Sequence, residues 1–151
     1  MSAGALTSIR CAQAKIPGVP VILVDTSVWI EYLRNTNHPV TTKLHELLIS
    51  GADVRITEPI VMELLAGADT PARETAISRL TNGLSLLPIE PAVDYRAAAA
   101  IFVAAGQIGK RIRSLNDCLI AAIAVRTNAE LFHKDRDFEE IAKVTTLAAL
   151  A

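Results

Sequence analysis

The sequence predicts an α/β fold, a three-layer α/β/α sandwich with a mostly parallel central sheet. Short apolar segments typical of strands alternate along the chain with longer segments of helical periodicity. The first of them, 21–24, is apolar at every position and ends at Asp25, the pattern of a strand buried on both faces. Because helices must cover both faces of such a sheet, the alternation indicates a layered α/β domain.

The first half of the chain gives these elements in order. Residues 1–20 carry two prolines and no sustained period, so we expect a poorly ordered lead-in, followed by a single domain over 21–151. After the first strand, Thr26 and Ser27 are suitable caps for a helix. A second helix follows and ends at Gly51, and 54–56 forms a short strand.

Prolines open the helices of the middle section. Pro59 begins a helix that ends at Gly67, and Pro71 begins another that ends near residue 82. Residues 84–89 then predict a strand, and Pro91 opens a long alanine-rich helix that reaches Gly106.

The C-terminal section predicts one more strand between two helices. Ser114 caps an apolar helix over 115–125, and 129–132 forms a strand that leads to Asp135. Residues 137–140 have the spacing of a capping box, which makes Asp137 the expected N-cap of the last helix.

Composition limits the classes of protein that need to be considered. The 151 residues are 51% hydrophobic but only 4% aromatic, and the formal net charge is −1, so contact with nucleic acid requires a local basic patch. Cys11 and Cys118 lie far apart, which argues against a zinc site or a disulfide scaffold and favours a reducing cytoplasm. The apolar runs fall well short of the ~18 residues that cross a bilayer, so we expect no membrane segment and no export.

Four acidic residues occupy positions that favour a shared site. Asp25 and Asp135 follow two strands whose carboxyl ends meet at one edge of a parallel sheet, where ligands bind. Asp117 lies in the first turn of an apolar helix, and Glu63 lies within another apolar segment. Two carboxylates ~4 Å apart repel by about 4 kcal/mol at an effective dielectric constant of ~20, so such a cluster must take up a proton or a cation. Oxygen ligands select Mg²⁺ or Mn²⁺, and such an ion suits phosphate-ester chemistry.

Each of these acids also has a purely structural explanation. Asp25 is a suitable helix cap, Asp117 has capping-box spacing from Ser114, Glu63 fits a solvated helix position and Asp135 fits a turn. Asp137 is well explained as an N-cap, so Asp135 is preferred as the ligand.

Four segments follow one another along the chain: VDTSVWI at 24–30, EPIVMEL at 58–64, SLNDCLIA at 114–121 and HKDRDF at 133–138. Together and in this order, they resemble the VapC toxin branch of the PIN-domain ribonucleases. The resemblance runs from residue 21 to the C-terminus. It implies a PIN-like fold and a catalytic metal site formed by Asp25, Glu63, Asp117 and Asp135.

The resemblance also implies a role for each acid. Asp25 and Asp117 are expected to bind Mg²⁺ most directly, with Mn²⁺ as a substitute, and Asp135 to complete the site directly or through water. Glu63 is expected to orient or activate the water that attacks the RNA phosphodiester, leaving a 5′-phosphate and a 3′-hydroxyl.

Polar and basic neighbours of the acids are candidates for substrate binding. Thr26, Ser27 and Asn116 flank the acids and are expected to hold ligands or phosphate by hydrogen bonds. Among the basic residues before the Asp117 helix, Lys110, Arg111 and Arg113, the last is the preferred phosphate ligand; a solvated loop explains them equally well. Lys134 and Arg136 bracket Asp135 and are weaker candidates.

Partners follow from the resemblance alone. It implies a homodimer held inactive by a cognate VapB-like antitoxin, with RNA as the substrate and DNA bound only through the antitoxin. The apolar helices at 29–33 and 60–65 are candidates for the antitoxin surface, although such helices are more often plain core.

Three other functions fit the sequence less well. A phosphatase of the haloacid dehalogenase kind needs a second acid two residues after Asp25, where this chain has Ser27. A receiver-type signalling domain needs adjacent acids after its first strand and a late strand-end lysine. A non-enzymatic PIN-like interaction module would usually have lost one of the four acids, so their retention favours catalysis.

Overall fold

The computed structural model describes residues 16–150, which form a five-stranded sheet and the helices packed on it. The strands are β1 (Val21–Val24), β2 (Asp53–Ile56), β3 (Ser85–Leu86), β4 (Glu130–Phe132) and β5 (Ala148–Ala149). The helices are α1 (Thr26–Leu33), α2 (Pro39–Ile49), α3 (Glu58–Ala66), α4 (Pro71–Asn82), α5 (Pro91–Gln107), α6 (Leu115–Thr127) and α7 (Arg136–Ala142). The predicted α/β architecture is confirmed. The prediction of a disordered lead-in over 1–20 falls mainly on 1–15, outside the described residues, so the domain limits stay a prediction.

The sheet has the strand order β3-β2-β1-β4-β5, and all of its strand pairings are parallel. From β1 the chain moves outward through β2 to β3, and it then returns to the other side of β1 for β4 and β5. The reversal between β1 and β4 is a topological switch point, where loops leave neighbouring strand ends in opposite directions and open a crevice.

The central strand β1 is buried along its whole length. Because successive side chains of a strand point to opposite faces, this burial requires helices on both sides of the sheet. Helix α6 supplies much of that cover: its residues from Asp117 to Ala124 are buried on every side. The apolar run that begins at Cys118 is therefore part of a core helix, in agreement with a length that is too short to cross a bilayer.

Local sequence signals set most of the helix ends. Proline occupies the first turn of α2, α3, α4 and α5, where its missing N–H costs nothing. Gly51 follows α2 with φ +74°, a left-handed conformation that glycine adopts without strain. Ser114 is the N-cap of α6, as predicted, and accepts a hydrogen bond from the Asp117 N–H at 3.4 Å.

Two strands differ from the sequence prediction. The strand predicted over 84–89 is limited to Ser85–Leu86, and Pro88, which has no N–H to donate, follows it closely. Strand β5, with exposed alanines, was not predicted, because alanine has little preference for strands and pairing with β4 decides its conformation.

A buried ion pair fastens α5 to α6. The guanidinium of Arg126 donates to both carboxylate oxygens of Asp94, each at 2.8 Å, and Asp94 is completely buried. Burial alone would raise the pKa of Asp94, but the hydrogen bonds from Arg126 hold that pKa below its ordinary value. This contact holds the C-terminal half of α6, the helix whose first turn carries Asp117.

None of the helices within residues 16–150 combines the length and the apolar content that a bilayer crossing requires. Cys118 is buried, and burial raises the pKa of its thiol to about 11. Cys11 lies outside the described residues.

Candidate active site

The switch point brings the first and last of the predicted acids to the same crevice. Asp25 follows β1 directly and Asp135 lies three residues beyond β4, the neighbouring strand. The two segments are joined by hydrogen bonds from the Asp25 N–H to the Phe132 carbonyl at 2.9 Å and from the Lys134 N–H to the Ser27 Oγ at 3.1 Å.

Asp25 lies at the floor of the crevice and is 4% exposed. It is the N-cap of α1, which confirms its structural explanation as a helix cap; Thr26 and Ser27, which were also expected as caps, lie inside the first turn instead. One carboxylate oxygen, Oδ2, accepts from Ser27 N at 3.0 Å and from Ser27 Oγ at 2.6 Å. Burial raises the pKa of Asp25, the Ser27 hydrogen bonds oppose that rise, and the charge of Glu63 adds to it.

Glu63 reaches the same crevice from α3 and is half-buried. Its Oε2 accepts a hydrogen bond from the hydroxyl of Thr26, in the first turn of α1. The bond links two helices that are separated by 37 positions in sequence, and it fixes the orientation of the glutamate beside Asp25.

Asp117 enters from the first turn of α6 and is 8% exposed. No described residue donates a hydrogen bond to its carboxylate. Burial raises its pKa to about 7, and the charges of its acidic neighbours add to the effect, in decreasing order Asp25, Asp135, Glu63 and Asp137. All four predicted acids are therefore electrostatically coupled at Asp117.

A further acid, Asp137, lies closer to Asp117 than the sequence suggested. Ligand atoms of Asp117, Asp135 and Asp137 lie within 4.8 Å of one another, a group that can hold a metal ion. The expected N-cap role of Asp137 was wrong: Asp135 is the N-cap of α7 and accepts the Asp137 N–H at 3.0 Å. Because α7 begins at Arg136, Asp137 lies in its first turn and is buried. The spacing of two acids with one residue between them was the signal that could have identified it.

The donor chemistry of this crevice fits a divalent cation. The three acids whose ligand atoms lie within 4.8 Å of one another offer oxygen atoms alone, which favours a hard ion over zinc. The Asp117 carboxylate is buried and accepts no hydrogen bond from residues 16–150, so a cation would stabilise its charged form. A metal ion is thus a physically sound occupant of the crevice.

The residues predicted to bind substrate differ in the hydrogen bonds and ion pairs that they make. Thr26 and Ser27 donate to acids, as described above. Asn116 has a buried Nδ2 that lacks a hydrogen-bond partner among the described residues. Arg113 pairs with Asp135 at 2.9 Å and with Asp137 at 3.1 Å.

The other basic candidates differ in their ion pairs. Lys134 is paired with Glu31, and Lys110 lies 3.4 Å from Glu140, so both charges are partly neutralised. Arg111 and Arg136 are exposed and have no ion-pair partner among the described residues. An open cavity of about 380 Å³ is lined by two of these basic residues, Lys134 and Arg136, together with Ser27, Ile30, Glu31, Arg113 and Asp135.

Comparisons with known proteins agree with this geometry. The family model for the PIN domain matches residues 22–144. The chain is 45% identical over 130 residues to ribonuclease VapC11 of Mycobacterium tuberculosis, covering 85% of this chain and 97% of that protein.

Solved structures show the same fold. The crystal structure of VapBC2 from Rickettsia felis, bound to a DNA fragment from its promoter, matches with a TM-score of 0.67 and 20% identity, covering 86% of this chain and 97% of that one. FitAcB from Neisseria gonorrhoeae matches with a TM-score of 0.65 and 26% identity over 87% of this chain and 97% of its own. The parallel sheet, the acids at its switch point and the match to these relatives all agree. The chain belongs to the PIN-domain family, in its VapC branch.

Proposed function

We propose that this chain is a Mg²⁺-dependent endoribonuclease that acts as the toxin of a toxin–antitoxin pair. One observation carries the proposal: the buried Asp117 has ligand atoms of Asp135 and Asp137 within 4.8 Å, and the charges of Asp25, Asp135 and Glu63 add to the rise in its pKa. Asp25, Asp135 and Glu63, together with Asp117, are the four acids that the VapC resemblance assigns to catalysis. The identity to a named ribonuclease over nearly its whole length supports the same activity.

The ion would be held by Asp25, Asp117 and Asp135, and Mn²⁺ would substitute for Mg²⁺. Asp25 has one oxygen free of the Ser27 hydrogen bonds, and the Asp117 carboxylate accepts none from the described residues. When bound, the ion lowers the pKa of a water molecule and neutralises charge on the phosphate that is attacked.

The side chains around the ion would position the other reactants. Glu63, oriented by Thr26, holds or deprotonates the attacking water, and hydrolysis leaves a 5′-phosphate and a 3′-hydroxyl. Asn116, next to Asp117 in sequence, has a buried Nδ2 with no partner among the described residues, and the Arg113 side chain is 70% exposed, so both are suited to substrate oxygens.

We further propose a cognate VapB-like antitoxin as inhibitor, a homodimeric toxin, and action in the cytoplasm. The VapBC2 structure contains both proteins of such a pair on promoter DNA, which supports DNA contact through the antitoxin. Exposed apolar side chains on α5, among them Tyr95, Phe102 and Val103, support a protein interface there.

Cleavage by the purified chain tests the activity. Asp25→Asn keeps the size of the side chain but removes a ligand charge, and we expect RNA cleavage to fall by more than about 100-fold. Asp69→Asn is the matched control, because Asp69 is an exposed acid paired with Arg73 outside the crevice. Chelation should abolish cleavage, and Mg²⁺ or Mn²⁺ should restore it.

Mapping of the new RNA ends tests the chemistry, and 5′-phosphates are expected. Full activity in Asp25→Asn, or cleavage that survives chelation, would contradict the proposal. An antitoxin-free, folded chain that binds divalent ions without cutting any RNA would instead indicate an interaction module.

A further inference from the structure

Arg113 places a positive charge directly on the acids of the crevice. Its Nη2 donates to Asp135 Oδ1 at 2.9 Å, and its Nε donates to Asp137 Oδ1 at 3.1 Å. Its backbone N–H donates to the other oxygen of Asp137 at 2.9 Å. Contact with Asp137, followed by the charges of Asp135 and Asp117, raises the pKa of Arg113 above its ordinary value.

These contacts use oxygen atoms that a metal ion would also need. Asp135 and Asp137 belong to the group of three acids whose ligand atoms lie within 4.8 Å of one another, and the third member, Asp117, is in electrostatic contact with Arg113. Both oxygens of Asp137 and one oxygen of Asp135 accept hydrogen bonds from Arg113. The guanidinium and a divalent ion are therefore alternative partners for the same carboxylates.

The two contacts of Arg113 with Asp137 differ in how easily they can be broken. The guanidinium is on a side chain that is 70% exposed, so water can solvate it once it leaves. The backbone N–H is fixed by the chain just before the Ser114 cap, and it can hold Asp137 Oδ2 in place while Oδ1 becomes free.

We propose that Arg113 acts as an internal counter-ion for the metal-free protein and that a divalent ion displaces its guanidinium from Asp135 and Asp137. This inference rests on the proposed metal-dependent function. It gives the chain a cation that offsets the repulsion among the acids before the metal arrives. It also lowers the apparent affinity for the ion, because binding must first break two ion pairs.

Metal binding by variants of Arg113 tests the competition. Arg113→Met keeps much of the apolar stem and removes the charge, and we expect its dissociation constant for Mn²⁺, measured by calorimetry, to fall by roughly threefold or more. Arg79→Met is the matched control and should bind Mn²⁺ as the unmodified chain does, because Arg79 is exposed in the last turn of α4 and has no ion-pair partner among the described residues. Equal or weaker binding by Arg113→Met would overturn the proposal.

The unmodified chain gives a second readout that a purely structural arginine would not show. In ¹H–¹⁵N spectra, the Nε–H of Arg113 should be protected from exchange without metal and should move towards the position of a solvated arginine as Mg²⁺ is added. A signal that Mg²⁺ leaves unchanged, in a chain that binds the ion, would overturn this inference while the proposed nuclease function stands. If the chain binds no divalent ion, both fail.

Discussion

The hydroxyl of Thr26 donates a hydrogen bond to Oε2 of Glu63 and so ties the start of α1 to the middle of α3. Asp25 precedes Thr26 directly, so the same turn that positions a metal-binding candidate also orients the candidate for water activation. The relative placement of the two acids therefore depends on one side-chain contact.

Replacement of Thr26 by valine should lower the rate of RNA cleavage without unfolding the chain. Valine has nearly the same shape but cannot donate, so Glu63 loses its orientation, and we expect kcat to fall by about 10- to 100-fold. Thr26→Ser keeps the hydroxyl and should retain most of the activity. Steady-state kinetics on one RNA substrate would compare the two, and equal rates for valine and serine would show that the contact has no role in catalysis.

Asp117→Asn should change the dependence of stability on pH. The folded-state pKa of about 7 exceeds the ordinary value of 3.8, so the protonated carboxyl stabilises the fold at low pH. That stabilisation is fully present below pH 3.8 and is lost as the pH rises through about 7. At pH 8 the asparagine variant should be more stable by up to about 4 kcal/mol, with the difference vanishing below pH 4.

Urea unfolding at several pH values, without divalent ions, measures this difference. Added Mg²⁺ should stabilise the unmodified chain at pH 8 and should have a smaller effect on Asp117→Asn. Identical pH profiles for the two proteins would mean that the Asp117 carboxyl titrates normally.

Arg126→Met should destabilise the whole domain. It leaves the Asp94 carboxylate buried without its partner, and loss of one member of a buried pair costs about 3 kcal/mol. Arg73→Met breaks an ion pair whose two side chains are 63% and 64% exposed, so it should leave stability nearly unchanged. Thermal unfolding of both variants makes the comparison, and equal melting temperatures would contradict it.

A charge on the apolar face of α5 should disrupt the proposed homodimer. Phe102 is 42% exposed and Val103 is 57% exposed, and the exposed Tyr95 lies two turns before Phe102 on the same side of the helix. Phe102→Glu should therefore yield a monomer in light scattering, because burial of an unpaired carboxylate opposes association. Thr42→Glu, on the exposed surface of α2, is the control. A dimer that persists in Phe102→Glu would place the interface elsewhere.

Most of the fold could be predicted from the sequence, because the signals that set the helices and strands are local. The fully apolar 21–24, the prolines that open α3 and α5 and the serine that caps α6 each depend on residues a few positions apart. The same signals placed the four candidate acids on their elements. The local signals failed for β5, because pairing across the sheet decides the conformation of that strand.

Only part of the candidate site could be predicted from the sequence. Which of two nearby acids caps α7 depends on a two-residue difference in the helix start, and that difference places Asp137 in the first turn, where it is buried. Neither the contact of Arg113 with Asp135 and Asp137 nor the bond between Thr26 and Glu63 has a sequence signal, since each joins residues more than 20 positions apart.

The sequence by itself determined the alternating elements, the prolines and caps that bound them, and the presence of acids after two strands, because each depends on short-range chemistry. The tertiary structure alone decided the strand order that makes β1 and β4 neighbours, the burial that raises the pKa of Asp117, and the placement of a guanidinium on two of the acids. Those properties depend on distances and solvent exclusion between segments far apart in the chain, and these exist only once the sheet has formed.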